Sequence, residues 1–115
     1  MNHRAKGREG EDWAVSFLEE KDYQILKRNF MSRAGEVDII CRTKDEIAFV
    51  EVKYWDFYGF EDLEYAINRT KRKRIVETSR YFLLQYQQYC DFRLRYDVVF
   101  LSRRTGEVHH LINAF

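Results

Sequence analysis

Two neighbouring segments constrain this chain more than anything else in it: Gly35-Glu36-Val37-Asp38-Ile39-Ile40 and Ala48-Phe49-Val50-Glu51-Val52-Lys53. Each sets charged residues inside a run of strand-forming apolar ones. Side chains alternate between the faces of a strand, so Glu36 shares a face with Asp38, and Glu51 with Lys53, while the intervening valines and isoleucines point the other way. With the two strands side by side, three carboxylates and one ammonium converge. Carboxylates taken out of bulk water repel one another unless a cation joins them, and hard divalent metals bind oxygen ligands of this kind. The alternative is a salt-bridge network that only holds the strands together. Cross-strand pairs contribute about 0.2–1 kcal/mol each, and three acids against one base leave an excess of negative charge that stabilisation alone does not favour.

The rest of the chain supplies a frame for these strands. Gly7 to Lys21 reads as a helix with an apolar stripe of Trp13, Ala14, Phe17 and Leu18, ended by Asp22. Tyr23 to Phe30, Glu36 to Arg42 and Glu46 to Tyr54 read as three strands in a meander. Thr70 to Tyr89 reads as a long helix that buries Ile75, Ser79, Phe82 and Tyr86, with Leu84 the one apolar residue on its solvated side. Phe92 to Leu101 and Val108 to Ile112 close the chain as strands around a turn at Arg104-Thr105-Gly106. Helix, three strands, helix, strand, strand is the order of an α/β fold, a mixed sheet flanked by helices. With 45% apolar residues in 115, we expect one domain spanning 1–115.

Composition excludes more than it selects. Proline is absent and glycine scarce, which disfavours long disordered linkers. Twenty basic residues nearly cancel 19 acidic ones, so any surface for a polyanion must be local. Cys41 and Cys90 lack framework spacing and are expected to be buried, reduced thiols. The chain shows neither an apolar secretory segment at its start nor a membrane-spanning run; a cytoplasmic protein with no membrane partner is expected.

Hydrolysis of a phosphodiester requires charge neutralisation at phosphorus, an activated water and stabilisation of the leaving oxygen. Asp38 and Glu51 suit the first task by holding a metal, and Lys53 suits the second by polarising water or holding a phosphate oxygen. Glu11 sits at the edge of the first helix's apolar stripe, beside Ala14, Val15 and Leu18, and is expected to point at the sheet as a fourth acidic group. Gly7 and Gly10 would let the start of that helix approach a neighbouring backbone or a phosphate closely. Glu36 is a supporting residue that orients its neighbours or binds Arg28 or Arg33.

Taken together, Gly10-Glu11, Gly35 to Ile40, Phe49 to Lys53, Arg28-Asn29-Phe30, the Ala66 to Ile75 segment with Lys71 and Arg74, and Tyr96-Asp97-Val98-Val99 resemble the bacterial YraN-like family of predicted endonucleases over nearly the whole chain. The resemblance implies a restriction-endonuclease-like αβββαβ core with a PD-(D/E)xK signature, distantly similar to archaeal Holliday-junction resolvases. It implies that Asp38 and Glu51-x-Lys53 are the signature residues and that Glu11 matches the resolvases' acidic residue on the first helix. It also implies magnesium or manganese as cofactor, held by Asp38, Glu51 and Glu11, with the Val52 carbonyl as an extra ligand. Two departures stand out: Val37 replaces the signature's proline, and Tyr54-Trp55-Asp56 follows Lys53 where relatives carry a basic residue. Trp55 either stacks on an exposed base or packs as buried area.

The basic run Arg69-Thr70-Lys71-Arg72-Lys73-Arg74 opens the long helix, where the helix dipole adds to its charge. It reads either as a nucleic-acid patch, with Arg69, Lys71, Arg72 and Arg74 as contacts, or as a solvated cluster balanced by Asp56, Glu61, Asp62 and Glu64. Lys71, one turn before Ile75, is on the inward face, and Lys73 points out. His109 and His110 face opposite sides of a strand and are expected to be ordinary surface or edge residues. The expected function is a metal-dependent endonuclease on DNA, branched or damaged, acting as a homodimer. The alternative is a non-catalytic module that brings nucleic acid to a partner enzyme.

Overall fold

The computed structural model describes residues 3–56 and 67–115, with side chains from Arg8 onward. Glu61, Asp62, Glu64, Ala66 and the surroundings of Gly7 lie outside the described residues. Helix α1 (His3–Glu20) is followed by strands β1 (Gln24–Met31), β2 (Glu36–Arg42) and β3 (Glu46–Trp55), helix α2 (Arg69–Gln85), a short 3₁₀ turn (Gln87–Tyr89), and strands β4 (Arg93–Ser102) and β5 (Val108–Leu111). The five strands form one sheet in sequence order. β1, β2 and β3 pair antiparallel, β3 and β4 parallel, β4 and β5 antiparallel. The sheet is therefore mixed, and α2 is the crossover that a parallel pair demands.

Each helix covers one face. Ala14 and Leu18 of α1 pack against Ile39, Cys41, Ala48, Val50, Val99 and Leu101, whereas Ile75 and Phe82 of α2 pack against Val37, Ile40, Ile47, Phe49, Val98 and Phe100. β3 is buried on both faces from Ile47 to Val50, which is why it reads as a continuous apolar run. β1, at the sheet edge, is mostly exposed.

Local chemistry sets the boundaries. Asp22 adopts φ +68°, and the N–H groups of Asp22 and Tyr23 donate to the carbonyls of Glu19 and Leu18 (3.0 and 3.1 Å). This is the Schellman closure of α1, with an aspartate in the left-handed position usually held by glycine. Asn68 caps α2 by accepting from the Lys71 N–H at 2.9 Å. Gly10 is buried, and a Cβ there would overlap the Tyr54 ring; glycine is what lets α1 cross β3 at close range.

α2 ends earlier than its sequence pattern suggests. The chain leaves the helix at Tyr86 (φ −122°, ψ 73°) and makes the 3₁₀ turn instead of continuing to Tyr89. The break brings both Tyr86 and Tyr89 onto Phe82, with ring centroids 4.9 and 5.8 Å away, and aromatic packing outweighs one more helical turn. Leu84 is 72% exposed, as its position on the outer face requires. No helix among the described residues is long and apolar enough to cross a membrane.

Candidate metal centre

The site begins where β2 and β3 part. Their ladder runs from Arg42↔Ile47 to Ile39↔Val50 and stops. In place of the next rung, the Asp38 carboxylate accepts the Val52 N–H at 2.8 Å. The N–H and C=O of one strand residue face the same neighbour, so the Val52 carbonyl opens onto the same gap.

The gap leads into a cavity of about 380 Å³, walled on the sheet side by Glu36, Asp38 and Glu51 and on the helix side by Asn68, Lys71 and Arg74. Glu51 is buried, at 5% exposure, on the face that Ile47 and Phe49 present to α2. Its Oε1 lies 2.5 Å from Lys71 Nζ and 3.6 Å from Lys53 Nζ. Glu36 stands exposed at the mouth. The loop before β2 is held to α2 by a hydrogen bond between the Ser32 and Thr78 hydroxyls (2.8 Å), which fixes the cavity's outer wall.

The electrostatics reflect two acids in one cleft. Burial first, then repulsion from Glu51 and Glu36, push the Asp38 carboxyl up to about 7, against the pull of the Val52 N–H and Lys71. Burial pushes the Lys53 ammonium below its ordinary value; Glu51 opposes this and Lys71 adds to it. Burial also works against the charge on Lys71, but its hydrogen bond to Glu51 and the surrounding carboxylates outweigh that and hold it above its ordinary value.

Not every expected residue reaches the cavity. Glu11 is buried at 8% exposure on α1, as its place beside the apolar stripe implied, yet its carboxylate accepts from Arg28 Nε (2.7 Å) and Asn29 Nδ2 (3.0 Å). Arg28 also pairs with Asp12. Asn29 lies between the rungs Arg28↔Ile39 and Phe30↔Val37 and hence opposite Asp38, so Glu11 stands one strand away from the cleft. Arg28 therefore serves Glu11 and Asp12. Among the basic residues, Lys71 and Arg74 line the cavity. Arg72 instead turns back, donating to the Ile67 carbonyl (3.1 Å) and covering the Phe115 ring. Arg69 and Lys73 are exposed.

Two expectations need correction. His110 lies on the edge strand β5, one of the two places expected for it, but is not an ordinary exposed residue: its side chain is 9% exposed and its Nε2 lies 2.8 Å from Asp97 Oδ2. Cys90 is exposed, although Cys41 is buried and both thiols are free. Of the two readings of Trp55, the packed one holds, since its ring meets Phe100 edge-on at 5.7 Å. Asn68, which both caps α2 and lines the cavity, escaped the sequence reading; an asparagine ahead of a basic helical run is the signal that marks it.

The donor set fits a hard divalent cation. Magnesium keeps several waters and takes one or two carboxylates, and Asp38, Glu51 and the Val52 carbonyl all face one gap. No group of three or more acidic, histidine or cysteine side chains gathers around a common point among the described residues, so the arrangement is a two-carboxylate one. The clearest mark of cation demand is Lys71, whose ammonium already sits against Glu51.

Residues 10–101 match the model of "Uncharacterised protein family UPF0102". A UPF0102 protein of Fusobacterium nucleatum is 40% identical over 101 residues, covering 84% of this chain and 81% of its own. One from Persephonella marina is 37% identical over 96% of this chain and 92% of its own, and one from Clostridioides difficile is 34% identical over the whole of both. The acidic strand, the Glu51-x-Lys53 strand and the helix that closes on them all lie within the matched span, and the chain belongs to the UPF0102, or YraN-like, family.

Proposed function

We propose that this protein is a divalent-metal-dependent endonuclease that hydrolyses phosphodiester bonds in DNA. The observation that carries the reading is the cleft itself: Asp38 and Glu51 face each other where two strands diverge, beneath the N-terminus of α2, with Lys53, Lys71 and Arg74 around them. Asp38, Glu51 and the Val52 carbonyl would hold magnesium or manganese, which supplies charge neutralisation at phosphorus when bound. Glu11 joins this set only by exchanging its bonds to Arg28 and Asn29.

The remaining steps belong to side chains. Lys53 projects from the same strand and face as Glu51, and its lowered pKa suits an ammonium that polarises water or gives a proton to the departing oxygen. Arg74, with the positive end of the α2 dipole behind it, receives a non-bridging phosphate oxygen. Asp38 keeps the strands apart by capturing the Val52 N–H. The cleft offers cations and N–H donors of the kind that receive backbone phosphate, which suits recognition by shape, as in branched or damaged DNA. Cutting two strands of a junction calls for two copies of the site, hence a homodimer.

The test is cleavage of labelled four-way, flap, single-stranded and linear DNA with magnesium or manganese, beside Asp38→Ala prepared identically. Cleavage by the wild type alone, reduced at least 10²–10³-fold (an order-of-magnitude figure) in the variant, supports the proposal. Binding without cleavage by either protein overturns it in favour of a module that delivers nucleic acid to a partner.

A further inference from the structure

Glu51 Oε1 carries more positive charge than one carboxylate needs, with the Lys71 ammonium at 2.5 Å and that of Lys53 at 3.6 Å. A divalent ion arriving at the same carboxylate meets both ammoniums at short range, where like charges repel strongly in a partly buried cleft. One of them has to leave. Lys53 stands on the central strand of the sheet with a side chain 17% exposed, whereas Lys71 stands on the first turn of α2 with a side chain 42% exposed. Lys71 is the one of the two with open solvent beside it. Its new partner is close at hand, because Arg74 and the Asn68-capped helix start share the same wall of the cavity, and a phosphodiester there offers Lys71 a second anionic acceptor once a metal takes Glu51.

We infer that Lys71 is a positioning residue that closes the metal site in the absence of nucleic acid, its ammonium occupying Glu51 until a DNA phosphate draws it away. This rests on the metal-centre reading above and extends it: metal and DNA bind with positive coupling through one lysine. Coupling of this kind is reciprocal, so metal strengthens DNA binding by the factor by which DNA strengthens metal binding. The ammonium is retained in both states and only its partner changes, which keeps the cleft from holding an uncompensated carboxylate at any stage.

The test reads manganese affinity of the full chain by calorimetry, with and without a short phosphorothioate duplex that resists cleavage. Lys71→Met keeps the stem and removes the charge; Lys71→Gln repeats the measurement in case methionine disturbs the fold, and Lys71→Arg restores a cation. Without DNA, the two neutral variants are expected to bind manganese about tenfold more tightly than wild type, and the duplex to improve their affinity less than it improves the wild type's. Lys71→Arg is expected to follow the wild type. Neutral variants that bind manganese equally or more weakly, or that keep the full gain from DNA, overturn the inference. Asp38→Ala separates the two levels: if it binds manganese as well as wild type, the metal centre itself is wrong, whereas loss of binding there with unchanged Lys71 variants removes only the role of Lys71.

Discussion

The sheet buries charge on both faces, and the two clusters are built on opposite terms. On the α1 face, Asp97 is fully buried and accepts from the Arg95 guanidinium (2.9 to 3.1 Å), from the Asn113 N–H (3.1 Å) and against His110 Nε2 (2.8 Å). Arg95 in turn reaches Glu46 (3.3 Å) and the Tyr23 hydroxyl. Burial alone would raise the Asp97 pKa, but the bonds from His110, Arg95 and Asn113 outweigh it and hold the carboxyl below its ordinary value. On the α2 face, Asp38 has one backbone donor and two carboxylate neighbours, and its pKa rises to about 7. The contrast teaches how to tell a buried ion network that fastens a fold from one that waits for a ligand. The first saturates its acceptors; the second lines an open cavity with carboxylates that have few hydrogen-bond donors of their own.

The sharpest way to break the comparison is to remove each aspartate. Asp97→Ala leaves the buried Arg95 guanidinium with only Glu46 and Tyr23 and removes the acceptor of His110 and the Asn113 N–H, and the expected loss is about 3–5 kcal/mol, read by urea denaturation. Asp38→Asn works in the opposite direction in metal-free protein, removing a charge that is costly to bury and that Glu51 and Glu36 repel, for a gain on the order of 2 kcal/mol above pH 7. A loss of stability there would show that the cleft is fastened, not waiting.

Titration separates the clusters further. The raised Asp38 pKa means that the folded state binds a proton the unfolded state has released, so this residue lowers stability as pH rises from the ordinary carboxylate range to about 7. The depressed Asp97 pKa acts the other way: its contribution is present above the ordinary carboxylate pKa and is lost as pH falls through the folded value. Denaturation in the presence of a chelator is expected to show both limbs in wild type and only the acid limb in Asp38→Asn. The smallest effect concerns Arg74→Ala, which is expected to weaken DNA binding uniformly across sequences and to reduce the salt slope by about one; an unchanged slope removes Arg74 from the phosphate surface.

Much of this was legible from local pattern. Alternation in the strands put Asp38 on a face shared with the cleft and Glu51 beside Lys53, and 3.6-residue spacing put Lys71 inward and Leu84 outward. Asp22 as a helix stop was visible as well. What escaped depends on distance along the chain. Periodicity says which face a residue occupies, not which partner from a remote element meets it there. The bond from Arg95 to Tyr23 crosses the fold from β4 to the end of α1, and no spacing rule predicts it. The same holds for Glu11, whose face was readable but whose engagement with Arg28 and Asn29 was not, and for His110, whose place on an edge strand was readable but whose bond to Asp97 on the neighbouring strand was not. The early end of α2 escaped because Tyr86 and Tyr89 keep a helical period while their rings are drawn to Phe82.

The parallel pairing of β3 with β4 has a consequence for the order of assembly. β1, β2 and β3 close on short antiparallel turns, whereas α2 and β4 reach the sheet only through a long crossover, the slower kind of connection to form. The acidic wall of the cleft comes from the early strands, and Lys71 and Arg74 come from the late helix. On a chain emerging N-terminus first, Asp38 and Glu51 are made together with Lys53, their one ammonium from the same strands, and the cleft gains Lys71 and Arg74 only when α2 docks.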